Sequence, residues 1–130
     1  MKIAMIGAGG WGTAMMISLA GRHDDLVMYC RNPERAAAIS KSRENKDYLP
    51  GCRIPVNVRI TSDLEKAVSN AGCVILCTPS QVVESMAEKI TPWLMKDAVV
   101  VCASKGLADK EGHRLSEVIT EKVKGITNKI

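Results

Sequence analysis

The amino-terminal stretch Ile3–Gly12 reads IAMIGAGGWG and joins an apolar run directly to a cluster of glycines. Ile3–Ile6 is continuously apolar, which is typical of a strand buried on both faces of a parallel sheet. Gly7, Gly9 and Gly12 follow with the spacing G-x-G-x-x-G. A buried strand that runs into this spacing predicts a turn able to hold the phosphates of a dinucleotide.

The segments that follow complete a strand–helix–strand unit. Residues 11–20 are compatible with a helix, and Leu26–Cys30 is a second apolar run. Gly7 is expected to make the tight turn, Gly9 to let the backbone approach a pyrophosphate, and Gly12 to let the helix pack closely on the strand. The backbone N–H groups at the helix start would then face the phosphates. A flexible glycine turn without a ligand is the alternative, and the strand–turn–helix context favours the dinucleotide.

The rest of the chain alternates helical segments with short apolar runs. Asn32, Ser62 and Thr78 are each placed to cap a helix, whereas residues 41–55 break the pattern and predict an ordered loop. Five alternating strands predict an α/β fold with a doubly wound parallel sheet, Rossmann-like, in the order 3-2-1-4-5 within one domain, 1–130. The three further strands are predicted at Val56–Ile60 (an edge), Cys73–Cys77 and Ala98–Ala103.

Composition excludes several classes of protein. The chain has 130 residues, a formal net charge of +4, 46% hydrophobic residues and 3% aromatic residues, values that exclude a disordered chain. The Lys and Arg residues are not clustered and the aromatic residues are too few for a stacking platform, so no nucleic-acid partner is expected.

Cysteine usage indicates a reducing compartment. Five cysteines are an odd number without the spacing of a secreted scaffold, which favours a cytoplasmic protein. Cys73 and Cys77 come from one predicted strand, which holds their sulfur atoms too far apart to bind one ion. We therefore expect no metal site.

The segment Ile3–Gly21 is uncharged and has the length of a membrane span or signal core. Gly7, Gly9, Gly10 and Gly12 lie in its middle, and each disfavours a helix by roughly 1 kcal/mol relative to alanine. We therefore expect neither a membrane span nor a secretion signal.

The ends of the second and fifth strands supply candidate side chains for ligand binding. An NAD-specific site usually has Asp or Glu after the second strand. This chain has Arg31 there, which could pair with a 2′-phosphate and favours NADP(H), or tolerance of both cofactors. Lys105 follows the fifth strand, where it could hold an oxygen atom or the phosphate of a substrate. His23 and His113 are not expected to be catalytic.

Four segments of the chain carry a further signal when they are taken together. They are Gly7-Ala8-Gly9-Gly10-Trp11-Gly12-Thr13-Ala14, Arg43-Glu44-Asn45 with Tyr48-Leu49-Pro50-Gly51, Thr78-Pro79-Ser80 and Ala103-Ser104-Lys105-Gly106. In this order they resemble the NAD(P)-dependent glycerol-3-phosphate dehydrogenases. Gly10 stands where that family often has Ser, a difference not expected to disturb a backbone contact with phosphate.

The resemblance implies reversible hydride transfer between NADP(H) or NAD(H) and dihydroxyacetone phosphate, giving sn-glycerol 3-phosphate for phospholipid synthesis. It implies that Gly10 and Trp11 contact the cofactor phosphates, Arg31 the adenosine end, and Lys105 both cofactor and substrate. Tyr48 is a further candidate for cofactor contact. With Gly7, Gly9 and Gly12, these residues form the predicted cofactor site.

Members of this family are two to three times longer, and the resemblance places the general acid lysine in their helical C-terminal domain. We therefore expect the chain to end before the sixth strand of the sheet and to bind cofactor without appreciable turnover. Exposure of an apolar sheet edge would leave self-association, for example as a homodimer, as an alternative to a monomer. A stand-alone NADP(H)-binding module and a reductase for another small substrate are the alternative functions.

Overall fold

Strands and helices alternate along the computed structural model, which describes residues 1–107, 111–124 and 128–129. The strands are β1 (Lys2–Ile6), β2 (Leu26–Tyr29), β3 (Glu44–Asn45), β4 (Leu49–Arg53), β5 (Val58–Thr61), β6 (Ala71–Leu76), β7 (Val99–Cys102) and β8 (Asn128–Lys129). The helices are α1 (Gly10–Leu19), α2 (Pro33–Ser42), α3 (Leu64–Val68), α4 (Ser80–Ile90) and α5 (Leu115–Lys122), with a 3-10 turn at Thr91–Trp93. Among the described residues, no helix is both long and apolar enough to cross a membrane.

The main sheet is parallel and has the order β5-β2-β1-β6-β7-β8. Its first five strands match the expected order 3-2-1-4-5, which confirms the predicted fold class. The order reverses between β1 and β6, so the carboxyl ends of these strands border a crevice where ligands of such sheets bind.

The sheet extends one strand further than expected. β8 pairs in parallel with the open edge of β7, where Asn128 is opposite Val99 and Lys129 is opposite Val100. The sequence prediction ended the sheet before this sixth strand, because two residues carry no recognisable apolar pattern.

Other differences concern the edges of predicted elements. β5 begins two residues later than expected, because Pro55–Val58 forms a turn closed by a hydrogen bond from Val58 N to Pro55 O of 3.1 Å. The segment expected to be a loop contains a hairpin, in which β3 pairs antiparallel with β4. Asp63 rather than Ser62 caps α3, since the Asp63 carboxylate accepts from the backbone N–H of Lys66 at 3.0 Å.

The core forms on both faces of the sheet because successive side chains of a strand point in opposite directions. Ala4 and Ile6 of β1 pack on one face with α3, α4 and α5. Ile3 and Met5 pack on the other face with α1 and α2. β1 and its neighbours are therefore apolar on both faces, as expected for strands inside a parallel sheet.

Close packing of α1 on the sheet depends on Gly12. A Cβ atom built at Gly12 would lie 2.5 Å from the carbonyl oxygen of Gly7, which is backbone and cannot rotate away. The Gly12→Ala substitution should lower the free energy of unfolding by about 1–3 kcal/mol, because the helix must move outward.

Gly21 provides the matched control, since a Cβ there meets no atom within 4 Å. Gly21→Ala should leave the free energy of unfolding unchanged or raise it by up to about 1 kcal/mol. Urea denaturation of both variants measures the difference, and equal stabilities would contradict the close-packing role of Gly12.

Candidate functional site

A cleft of about 330 Å³ lies at the carboxyl ends of β1, β2 and β6. Its position is the one that the reversal of strand order predicts for a ligand site. The floor comes from the glycine loop and the ends of the strands, and one wall comes from α4. The lining residues are Gly7, Ala8, Gly9, Tyr29, Cys30, Arg31, Arg35, Tyr48, Cys77, Thr78, Pro79, Val82, Ser85, Met86 and Lys89.

Gly7 makes the turn that leaves β1, as the sequence predicts. Its φ is +126°, a conformation that favours glycine, and a Cβ there would overlap the carbonyl oxygen of Cys77. Because Gly7 has no side chain, the ends of β1 and β6 can lie against each other beneath the cleft.

Gly9 caps the start of α1 with extended backbone and lines the cleft, and a Cβ there would meet no atom within 4 Å. This open space would let a ligand approach the backbone at Gly9. A Cβ at Gly10 would lie 2.8 Å from the carbonyl oxygen of Tyr48. The side chain of a serine at position 10 would therefore clash with the hairpin, so glycine at this position affects the packing of the hairpin.

The carbonyl of Ala8 is fixed by two side chains from outside the loop. Arg35 Nη2 donates to it at 2.9 Å, and Asn45 Nδ2 donates to it at 3.0 Å. Asn45 is fully buried and also donates to Thr13 Oγ1 at 2.8 Å, while Thr13 donates to the carbonyl of Gly9 at 2.7 Å. The glycine loop is thereby tied to α1, α2 and the β3–β4 hairpin.

Tyr48 and Arg31 lie on the side of the cleft next to β2 and the hairpin. The guanidinium carbon of Arg35 is 4.7 Å from the centroid of the Tyr48 ring, so the two side chains stack. Tyr48 is nevertheless 58% exposed, which leaves the ring available to a ligand. Arg31 lines the cleft directly after β2, where the sequence analysis places it.

Trp11 and Lys105 lie together but outside the cleft lining. Lys105 Nζ is 5.6 Å from the centroid of the Trp11 ring, and Trp11 is 55% exposed. The turn at Gly106, with φ +102°, follows Lys105 directly. The predicted site residues therefore form two groups. One group lines the cleft and consists of Gly7, Gly9, Arg31 and Tyr48. The other group, Trp11 and Lys105, lies outside the cleft lining. Gly10 and Gly12 serve the packing that positions both groups.

Thr78 does not cap α4, contrary to the sequence prediction. Pro79 is the N-cap residue and no side chain caps that helix. The backbone N–H of Thr78 instead donates to Ser104 Oγ at 3.1 Å, because β6 and β7 end side by side. The Thr78 hydroxyl is buried at the cleft and has no hydrogen-bond partner among the residues that the structure describes.

The cleft is cationic. Arg31, Arg35 and Lys89 line it, and no Asp or Glu is among its lining residues. Burial raises the pKa of the Tyr29 hydroxyl, and the nearby charge of Arg31 opposes that rise. Burial likewise raises the pKa of the Cys77 thiol, which therefore stays neutral at the cleft floor. This chemistry suits an anionic ligand.

Sequence reasoning missed Arg35, Asn45 and the wall formed by α4. No pattern in the sequence singles out Arg35, and Asn45 is predicted only as part of a family segment. The wall had a signal in the sequence, since Val82, Ser85, Met86 and Lys89 recur at helical spacing after a strand that borders the crevice.

A glycine turn that joins a buried parallel strand to a helix start, beside a cationic cleft, defines a dinucleotide-binding α/β protein. Comparison with known proteins gives the family. The family model described as the NAD-dependent glycerol-3-phosphate dehydrogenase N-terminus matches residues 2–129. The chain belongs to this family, which confirms the resemblance found in its motifs and the expected NAD(P) cofactor class.

Two relatives are named glycerol-3-phosphate dehydrogenase [NAD(P)+]. The one from Moorella thermoacetica is 43% identical over 92% of this chain and 36% of its own length. The one from Pelotomaculum thermopropionicum is 37% identical over 92% of this chain and 34% of its own length. The chain thus spans about a third of these curated relatives.

A solved structure agrees in fold. The crystal structure of glycerol-3-phosphate dehydrogenase from Coxiella burnetii superposes with a TM-score of 0.87 and 24% identity. The match covers 95% of this chain and 38% of that one, and it supports the α/β fold described above.

Arg35 should stabilise the glycine loop measurably. Arg35→Met removes the donors to Ala8 and Asn45, and we expect a loss of about 1–3 kcal/mol in the free energy of unfolding. The ion pair of Arg35 with Asp47, at 3.3 Å, adds little because the carboxylate is exposed.

Arg22→Met is the control, because Arg22 is an exposed residue in the turn after α1. Its effect on the free energy of unfolding should stay within about 0.5 kcal/mol. Urea denaturation compares the two variants, and an Arg35 effect as small as that of Arg22 would contradict the tethering role.

Proposed function

We propose that this chain is the cofactor-binding part of an oxidoreductase that transfers hydride between NADP(H) or NAD(H) and dihydroxyacetone phosphate, giving sn-glycerol 3-phosphate for glycerophospholipid synthesis. One observation carries the proposal. A glycine loop of the dinucleotide-binding type opens onto a cationic cleft in a chain of the glycerol-3-phosphate dehydrogenase N-terminal family.

The residues present fit a dinucleotide. Gly9 leaves open space at the start of α1, where backbone N–H groups and the helix dipole favour a pyrophosphate. The Ala8 carbonyl is engaged by Arg35 and Asn45, so its oxygen is already satisfied by donors from the protein. Gly7 and Gly9 would hold the pyrophosphate, while Arg31 and Tyr48 would hold the adenosine end.

The reduced nicotinamide supplies the hydride when it is bound, and the protein must orient the substrate. Lys105 lies beside Trp11 at the edge next to the glycine loop, where an ammonium can hold a carbonyl oxygen or a phosphate of the substrate. The Trp11 ring restrains that ammonium by a cation–π contact, which at exposed sites contributes about 0.5–1 kcal/mol.

A titration tests the proposal most directly. NADPH and NADH are added to the chain carrying Trp93→Phe, so that emission reports Trp11 alone, and dihydroxyacetone phosphate reduction is assayed in parallel. Saturable binding of at least one cofactor is expected. Absence of binding for both would refute the cofactor site, and reduction by the chain itself would refute the expectation of a missing general acid.

Arg31 should set part of the cofactor preference. Arg31→Ala is expected to weaken the binding of NADPH by about tenfold or more, since charge-assisted hydrogen bonds contribute about 1.5–3 kcal/mol. NADH has no 2′-phosphate and should lose little. Isothermal titration calorimetry of both cofactors measures the two effects, with Arg22→Ala as control, and equal losses for both cofactors would remove the 2′-phosphate role.

Lys105 should matter for the reaction more than for the fold. In a longer enzyme of the family that carries this chain as its N-terminal part, Lys105→Met should lower kcat/KM by about 100-fold or more, the effect of losing a donor to developing charge. Lys96→Met, at an exposed lysine away from the cleft, is the control. Steady-state kinetics decides, and an unchanged rate for Lys105→Met would exclude it from the site.

The proposal extends to the setting of the protein. All five cysteines are free, which supports a reducing compartment such as the cytoplasm. Self-association remains a separate hypothesis, and light scattering coupled to size-exclusion chromatography distinguishes a monomer from a homodimer.

A further inference from the structure

Helix α4 presents Lys89 to the cleft, which the glycine loop also lines. We propose that Lys89 and Arg31 together form a two-cation subsite for the 2′-phosphate of NADPH, so that Lys89 helps to determine the preference between the two cofactors. The inference rests on the proposed function, because it assigns a further residue to the same cleft.

The geometry of α4 aims Lys89 at this cleft. Val82, Ser85, Met86 and Lys89 all line the cleft, and their spacing places them on one stripe of the helix. Residues of the end of β2 line the same cleft, including Arg31. The lysine and the arginine therefore reach one space from two different elements.

The acidic residues of α4 do not neutralise Lys89. Glu84 and Glu88 each lie 3.0 Å from Nζ of Lys122, which comes from α5. Their hydrogen bonds raise the pKa of Lys122, and both carboxylates are thus engaged by a residue that does not line the cleft. Within the described part of the chain, neither Lys89 nor Arg31 forms an ion pair or a side-chain hydrogen bond.

Arg35, the third cationic residue of the cleft, already has partners within the protein. Arg35 donates to Ala8 and Asn45 and lies 3.3 Å from Asp47. Two uncommitted cations in a cleft without a lining carboxylate favour a dianion over a pair of ribose hydroxyls. Arginine matches a phosphate by its fork of donors and lysine adds a flexible point charge, so the two complement each other.

A purely structural role for Lys89 makes a different prediction. Lys89 lies in the last turn of α4, where a cation favours the negative end of the helix dipole. Removing it for that reason alone would change stability and affect all ligands equally. A subsite for the 2′-phosphate instead gives a loss confined to ligands that carry that group.

The test uses Lys89→Gln with four ligands in calorimetric titrations: NADPH, NADH, adenosine 2′,5′-bisphosphate and adenosine 5′-monophosphate. We expect the affinities for NADPH and the bisphosphate to fall by about fivefold to tenfold, and the affinities for NADH and the monophosphate to change by less than about twofold. Lys89→Arg should retain most of the preference. Lys96→Gln, an exposed lysine away from the cleft, should match the unsubstituted chain.

The outcomes separate this inference from the proposed function. Equal weakening of all four ligands, or no change for NADPH, overturns the Lys89 subsite while cofactor binding stands. Failure of the unsubstituted chain to bind any of the four ligands overturns the proposed function itself. If Lys89→Gln does not fold, the salt dependence of NADPH affinity is compared with that of NADH affinity. A two-cation subsite for the 2′-phosphate predicts a steeper loss for NADPH as salt screens the charges, and equal losses for the two cofactors overturn the subsite.

Discussion

The ends of β1 and β6 and the start of α1 lie so close together that two positions between them, Gly7 and Gly12, have no room for a Cβ atom. The missing side chain of Gly7 faces the carbonyl of Cys77, and that of Gly12 faces the carbonyl of Gly7. Because the helix can lie this close, its first turn stands over the carboxyl ends of the central strands. The position of the cleft and the docking of the β3–β4 hairpin against Gly10 both follow from this contact.

A buried polar network converts the contact into a rigid site. Asn45 and Thr13 are fully buried, and their hydrogen-bonding groups are engaged by the glycine loop, by each other and, at Asn45 Oδ1, by Arg35. Satisfied polar groups in a low-dielectric interior favour a single arrangement, because any alternative leaves a donor or an acceptor unpaired. The hairpin thus serves the loop although it lies outside the main sheet.

Local rules explain which parts of the molecule were predictable. Strand order, the turn at Gly7 and the cap at Asn32, whose Oδ1 accepts from Arg35 N at 3.0 Å, depend on neighbours in sequence or on general topology. The donors to Ala8 are 27 and 37 residues away in the chain, and no spacing rule connects them to it.

Thr78 illustrates a second reason why sequence reasoning falls short. Its pattern with Gln81 satisfies the rule for a capping box, yet the adjacent end of β7 offers Ser104 to its backbone N–H. A tertiary partner has replaced the local one, and the hydroxyl is left at the cleft. The sequence also leaves the cap of α3 open between Ser62 and Asp63, because both residue types are good caps, and in the structure Asp63 accepts from Lys66 N.

The double hydrogen bond on the Ala8 carbonyl has a kinetic consequence. Rotation of the peptide plane between Ala8 and Gly9 would break bonds to both Arg35 and Asn45, so a flip of this peptide is opposed from two directions. An anion that binds at the start of α1 would therefore meet N–H donors that are already oriented, without a rearrangement of the loop. Association at such a preformed site is governed by encounter and electrostatic attraction rather than by a conformational step.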